Sequence, residues 1–185
     1  MAWNKEHKAQ SKDKILQSAA MLFTHHGFEQ VSIDQVMEKA EMTRGAFYSH
    51  FASKSELYAQ ALAKASLLAQ QRISTGTRND IKELARNYLS AQHLNDISEQ
   101  ACPLAFLVSD INQQDEKVKA TYTEIFEKFI QQAQHVTQNR ALAIQNTVLM
   151  IGGLAIARAL ENAELRSEVL RACQNAVKDS ANKCD

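Results

Sequence analysis

Between Ser32 and Lys54 the chain gathers the residue types that hold and read double-stranded DNA. Thr43, Arg44, Gly45 and Ala46 stand together at the expected start of a short helix. Small or polar side chains at that end let a helix enter a major groove. Arg44 can make a bidentate contact with guanine, and Ala46 can meet a thymine methyl group. Tyr48 and His50 lie off the apolar stripe made by Phe47 and Phe51, so their polar tips are expected to reach phosphate. Lys54 opens the following helix, and a helix N-terminus itself attracts phosphate. Ser32 offers the same device one helix earlier. Other chemistry finds little support. There is no HxxxH pair, no nucleophile elbow and no glycine-rich phosphate loop, and His25, His26 and His93 lack partner spacing. No metal, no cofactor and no enzymatic activity is expected.

The elements that must position these groups are helices. Ile15, Ala19 and Phe23 mark one stripe of a first helix, about 11–26, with Leu16, Ala20 and Leu22 beside it. Apolar residues at i, i+4 and i+8 fall on one helical face. Gly27 follows where a glycine ends a helix. Ser32 with Gln35 three residues on forms a capping box for a second helix carrying Ile33, Val36, Met37 and Ala40. Glu41-Met42 make a tight turn, and a third helix runs from Thr43 to about Phe51. Three short helices with that tight turn make the plan of a helix-turn-helix domain. Ser53 and Glu56 form another capping box, opening a fourth helix to about Ser74.

Gly76 and Asn79-Asp80 then separate a fifth helix, about 80–96. Pro103 suits the first turn of a sixth, ending near Gln114. Asp115 caps a seventh with Val118, Tyr122, Ile125, Phe126, Phe129, Ile130 and Ala133 inward. An eighth spans about 140–162. A ninth spans about 164–183, with Leu165, Val169, Cys173 and Ala176 along one face.

Composition agrees with an all-α chain. Its 185 residues hold Gly 5 and Pro 1, too few to turn the strands of a sandwich or barrel. Hydrophobic residues are 45% and charged residues 23%, enough for a packed core. The longest apolar run, Val148–Ala157, is ten residues, against about 20 for a membrane span, so a buried helix and no membrane association are expected. The first fourteen residues contain no apolar stretch fit for a signal peptide. Three Cys without a CxxC suggest free thiols in a cytoplasmic setting. Lys+Arg 21 against Asp+Glu 21 gives a net charge of +0, so a case for DNA rests on motif geometry. Residues 1–56 hold seven basic and seven acidic side chains. Only the first fourteen lean positive, with Lys5, Lys8, Lys12 and Lys14 against Glu6 and Asp13.

The stretch from Ile15 to Leu62 resembles the DNA-binding domain of TetR-family transcriptional regulators. The family pattern falls on Phe23, Gly27, Phe28, Ser32, Ile33, Thr43, Gly45, Phe47, Tyr48, His50, Phe51, Ser53, Lys54 and Leu57. One departure is the turn, where Glu41-Met42 stands in place of the usual Gly-Val. The resemblance implies an all-α homodimer that binds a near-palindromic DNA operator as a repressor and releases it when a small-molecule inducer, of unknown identity, enters the C-terminal domain. It places phosphate contacts and base reading on Ser32, Thr43, Arg44, Gly45, Tyr48, His50 and Lys54. The division expected is 1–53 for DNA binding, linked through the fourth helix to 54–185 for ligand binding and dimerisation.

In the family the last two helices dimerise, here about 140–183. The Thr147–Ala159 stretch is apolar on nearly all sides, and such a helix must be covered on every face. Candidate pocket residues are Tyr88, Gln92, His93, Phe106, Asp110, Tyr122, Phe126 and Arg158, with Asp110 suited to a cationic ligand and equally to the surface or to pairing with a neighbouring helix. Cys102-Pro103-Leu104 resembles a TetR subgroup in which a cysteine precedes an apolar helix and some members sense electrophiles or oxidants. A thiol at a helix N-terminus is activated by the dipole, whereas most buried thiols are inert. Two alternatives of other classes are a small α-helical enzyme and a helical interaction module whose helix-turn-helix no longer binds DNA.

Overall fold

The computed structural model describes residues 2–73, 80–95 and 101–182. Among the described residues there are eleven helices and no strand: α1 (Ala2–His26), α2 (Ile33–Lys39), α3 (Arg44–Tyr48), α4 (Lys54–Ile73), α5 (Ile81–Tyr88), α6 (Ala91–Leu94), α7 (Pro103–Phe106), α8 (Val108–Ile111), α9 (Glu116–Thr137), α10 (Arg140–Ala159) and α11 (Ala163–Asn182). Ser74, Gly76 and Asn79, and the expected helix ends at 96 and 183, lie outside the described residues.

Three helices differ from the sequence expectation. α1 begins nine residues before Ser11, because nothing from Ala2 onward breaks a helix until Gly27. The single helix expected over 80–96 is two. Leu89 leaves helical geometry with ψ 39, and Ser90 caps α6 by accepting from the His93 N–H. The backbone oxygens freed at the break are used: Tyr88 O meets His93 Nδ1, and Leu89 O accepts from Gln174 Nε2. The helix expected from Pro103 to Gln114 is likewise split at Leu107, which is buried with φ −120.

The chain forms two compact units, Met1–Leu68 with Ile97–Thr123, and Ala69–Asp96 with Glu124–Asp185. The core of the first joins Ile15, Ala19 and Phe23 of α1 to Val36, Met37, Phe47, Phe51, Leu57 and Tyr58. Aromatic contacts tie it together: Phe23 meets Tyr58 edge-on at 4.8 Å, and Phe47 stacks on Phe51 at 5.7 Å.

In the second unit α10 packs on α11, and α11 on α5. Cys173 Sγ fills the space a Cβ on Gly153 would need, 2.7 Å away. On the α11 face that carries Leu165, Val169, Cys173 and Ala176, Val169 and Cys173 are half-buried, Leu165 is 45% exposed and Ala176 is exposed, while Leu170 and Val177 beside it are buried. By length and mean hydropathy, 1.4, α10 could cross a bilayer, yet Ala143, Asn146, Thr147, Met150, Ile151, Gly153, Leu154 and Ala157 are buried within the chain.

Candidate nucleic-acid interface

The site begins with two helix starts and the turn between them. Ser32 accepts from the Gln35 N–H, and the Gln35 side chain accepts from the Ser32 N–H, so the capping box of α2 is complete. α2 ends in a pair of crossed backbone bonds, Met42 N–H to Met37 O and Glu41 N–H to Glu38 O. This is the Schellman pattern, whose C′ residue takes a left-handed conformation. Glu41 occupies that position with φ 57. The departure from Gly-Val therefore keeps the glycine backbone with a side chain attached, at a conformational cost of about 1 kcal/mol or more.

The turn delivers α3 with Thr43 as N-cap in extended geometry. Phe47 is fully buried, while Thr43, Arg44, Gly45 and Tyr48 face solvent, Tyr48 at 61%. Ala46 is half-buried. A Cβ on Gly45 would meet only Thr43 Oγ1, at 3.9 Å. Glycine inside a helix costs about 1 kcal/mol relative to alanine, and no contact among the described residues asks for it. The open face it leaves is suited to close approach by another molecule.

Arg44 is held across this edge. Its Nη1 lies 3.0 Å from Asp34 Oδ2 on α2, with both side chains about 60% exposed. Its pKa is raised first by a hydrogen bond with Tyr48 and then by the Asp34 charge. Asp34 thus competes for the guanidinium that would meet a base. It lies ten residues away across a turn, so no local pattern points to it. Such exposed pairs are worth about 0–1 kcal/mol and yield easily to a better partner.

His50 faces α1 as well as the end of α3. It is half-buried, and its Nε2 lies 2.9 Å from Ser11 Oγ on α1. Burial, then Lys8 and Lys12, lower its pKa, and the contact with Ser11 ties α1 to the end of α3. Lys54 Nζ sits 4.2 Å above the centre of the Phe28 ring. The α4 cap is a variant of the expected box: Ser53 Oγ accepts from the Glu56 N–H, but the Glu56 carboxylate accepts from Ala52 N–H.

The nine candidate ligand residues are not gathered in one unit. Cys102, Phe106, Asp110 and Tyr122 fall in the first; Tyr88, Gln92, His93, Phe126 and Arg158 fall in the second. Tyr88 is buried, stacking on Phe129 at 5.3 Å and meeting His93 edge-on at 4.7 Å. Gln92 is exposed rather than inward, because the break at Leu89 resets the helical phase. Phe126 is half-buried, and Arg158 is on the exposed side of α10, its pKa lowered by partial burial. Phe106 meets His25 edge-on at 5.7 Å. Tyr122 donates to Leu104 O at 2.8 Å, and burial raises its pKa. Cys102 is 5% exposed, which works against a freely reacting thiol.

Asp110 is paired with neighbouring elements, one of the alternatives open to it from the sequence. Its carboxylate accepts from the Phe28 N–H at 3.1 Å and from the Tyr58 hydroxyl at 2.5 Å. The Tyr58 pKa is driven up, first by burial and then by this bond, so the hydroxyl stays a donor. Gly27, at φ 75, leaves the carboxylate room: a Cβ there would lie 2.8 Å from Asp110 Oδ1. Asp110 thereby locks the link between α1 and α2 to α4. Both partners are far away in sequence, 82 and 52 residues, so spacing could not show it.

A shallow polar hollow in the second unit is lined by Gln131, Gln134, His135 and Gln138, none of them a residue expected to bind a ligand. Among the described residues no three His, Cys, Asp or Glu side chains gather into a metal-ligand cluster.

Residues 15–61 match the family described as bacterial regulatory proteins, tetR family. The chain is similar to the transposon Tn10 TetC protein of Escherichia coli, 33% identical over 78 residues, which is 40% of each chain. It is similar to the HTH-type transcriptional repressor AcnR of Corynebacterium efficiens, 32% identical over 79 residues, 43% of this chain and 40% of that protein. The match thus spans well under two thirds of these relatives. In fold, it is similar to a TetR-family transcriptional regulator from Cytophaga hutchinsonii, with TM-score 0.79 at 16% identity, covering 94% of this chain and 96% of that one. Residues 15–61, which contain the whole of α2, the turn and α3, are thus the part of the chain that matches the tetR family of bacterial regulatory proteins.

Proposed function

We propose that the protein is a transcriptional repressor that binds a near-palindromic operator as a homodimer and leaves it when a small organic inducer binds. Residues 1–53 hold the DNA, and 54–185 carry ligand binding and dimerisation. The observation that carries the reading is the outer edge of α3. Arg44 and Gly45 are exposed over a fully buried Phe47, with an internal glycine that the chain's own packing does not require. Arg44 reads a base, Ala46 meets a thymine methyl, and Thr43, Ser32, Tyr48 and Lys54 hold phosphate. His50 acts from behind, by fixing α1 against α3.

The homodimer is supported by α10. Ile144, Val148 and Ile156 are 36%, 53% and 57% exposed at i, i+4 and i+12, with open space at Gly152 between them. Leu165 of α11 is exposed as well. Four large apolar side chains on the last two helices suit a second copy of the same pair. Selection of bound fragments from a random DNA pool tests the function. A two-fold symmetric site, with affinity falling steeply as salt rises, is expected. A protein that retains no fragment at low salt contradicts it.

A further inference from the structure

The positive lean of the first fourteen residues finds no use in the site described so far. α1 is helical from Ala2, so Lys5, Lys8 and Lys12 stand at i, i+3 and i+7 on one face. Glu6 and Asp13 fall on another face, and Asp13 is taken up by Lys64 at 2.7 Å. The lysine face adjoins the end of the recognition helix. Ser11, one turn past Lys8, contacts His50 at 2.9 Å. Lys12 Nζ lies 5.5 Å from the centre of the Phe51 ring, close enough to Glu56 to lower that carboxyl's pKa as well. Lys12 is therefore occupied at home. Lys5 and Lys8 are exposed and have no carboxylate partner among the described residues.

We propose that Lys5 and Lys8 form an accessory phosphate-binding face, which extends the DNA footprint beyond the segment covered by α3 and the start of α4. This rests on the DNA-binding reading above. Like charges three residues apart on a helix repel slightly, and an extended polyanion is the partner that turns this repulsion into attraction. The contact supplies affinity and carries no base preference. The Ser11–His50 contact gives the arm a fixed position relative to α3.

The test uses the full chain and a DNA site selected by the wild type. Affinity is measured at several salt concentrations for wild type, for Lys5→Gln/Lys8→Gln, and for Lys119→Gln/Lys128→Gln on α9, which loses the same charge. Glutamine keeps helix propensity, and circular dichroism verifies folding. Each lost phosphate contact flattens the logarithmic salt slope by about 0.9, so the α1 variant is expected to flatten it by about 1.8 and the α9 variant to leave it unchanged. The base preference of the α1 variant should equal that of wild type. An unchanged slope in the α1 variant, equal flattening in both variants, or an altered base preference overturns the accessory face while leaving the DNA-binding reading intact. Absence of salt-dependent binding by the wild type overturns both.

Discussion

The helices between residues 15 and 61 and the pair α10–α11 bury their apolar faces differently. In the first region the core is closed by the chain itself. Ile15, Phe23, Met37, Phe47, Phe51 and Tyr58 are almost completely covered, and Tyr48 is the one large hydrophobic residue there left exposed. In the second region Met150, Leu154 and Val177 are covered, yet Ile144, Val148, Ile156 and Leu165 remain outside. A closed core fixes the positions of the few polar groups around it. An unclosed one has a face that its own chain does not use. The first arrangement suits reading a rigid surface, and the second suits association.

Substitutions at the two places should therefore fail in different ways. The largest effect is expected for Phe47→Ala, which empties the centre of the closed core and should cost about 3–5 kcal/mol of stability in chemical denaturation. A cost below about 1 kcal/mol would mean that α3 is not fixed by its packing. Ile156→Glu should by contrast leave the helical signal of the chain intact and shift its light-scattering mass from two chains to one, with DNA affinity falling at the same time. A mass that stays at two chains would move the interface elsewhere.

Within the closed region, Asp110→Ala leaves the Phe28 N–H and Tyr58 hydroxyl without their acceptor. About 1–3 kcal/mol of stability should be lost, and Asp110→Asn, which keeps an acceptor oxygen, should lose less. Faster amide exchange at Phe28 in the alanine variant would locate the effect at the α1–α2 link. The smallest effect is a gain. Glu41→Gly relieves the left-handed backbone, and after the entropy of the added glycine a net stabilisation of about 0.5–1 kcal/mol remains. A loss of stability would show that the Glu41 side chain contributes something its exposed position does not reveal.

The same comparison explains what the sequence could reveal. Local rules made α2, its capping box and the start of α3 readable, because caps and stripes act within four residues. They also revealed the all-α character of the chain. They did not reveal the phase of α11. Leu165, Val169, Cys173 and Ala176 repeat as regularly as Leu170 and Val177, and periodicity does not say which of two apolar faces turns inward. The Asp34–Arg44 pair and the locking role of Asp110 join positions with no shared helical repeat. The break at Leu89 was announced by Ser90, a good N-cap, but the apolar pattern on either side reads through it. The residues expected to line a pocket depended on long-range placement, and the structure distributes them over both units.

Under the proposed function α3 reads bases through Arg44 while the start of α4 only holds phosphate. The measurement that tests it most directly is titration of a selected operator, and of its single-base variants, by wild type, Arg44→Ala and Lys54→Ala. Arg44→Ala should lose about 1–3 kcal/mol on the selected site and become indifferent to one base pair per half-site. Lys54→Ala should weaken binding to every sequence alike and flatten the salt slope by about one unit. Altered base preference in Lys54→Ala, with preference unchanged in Arg44→Ala, would rule out this docking of α3.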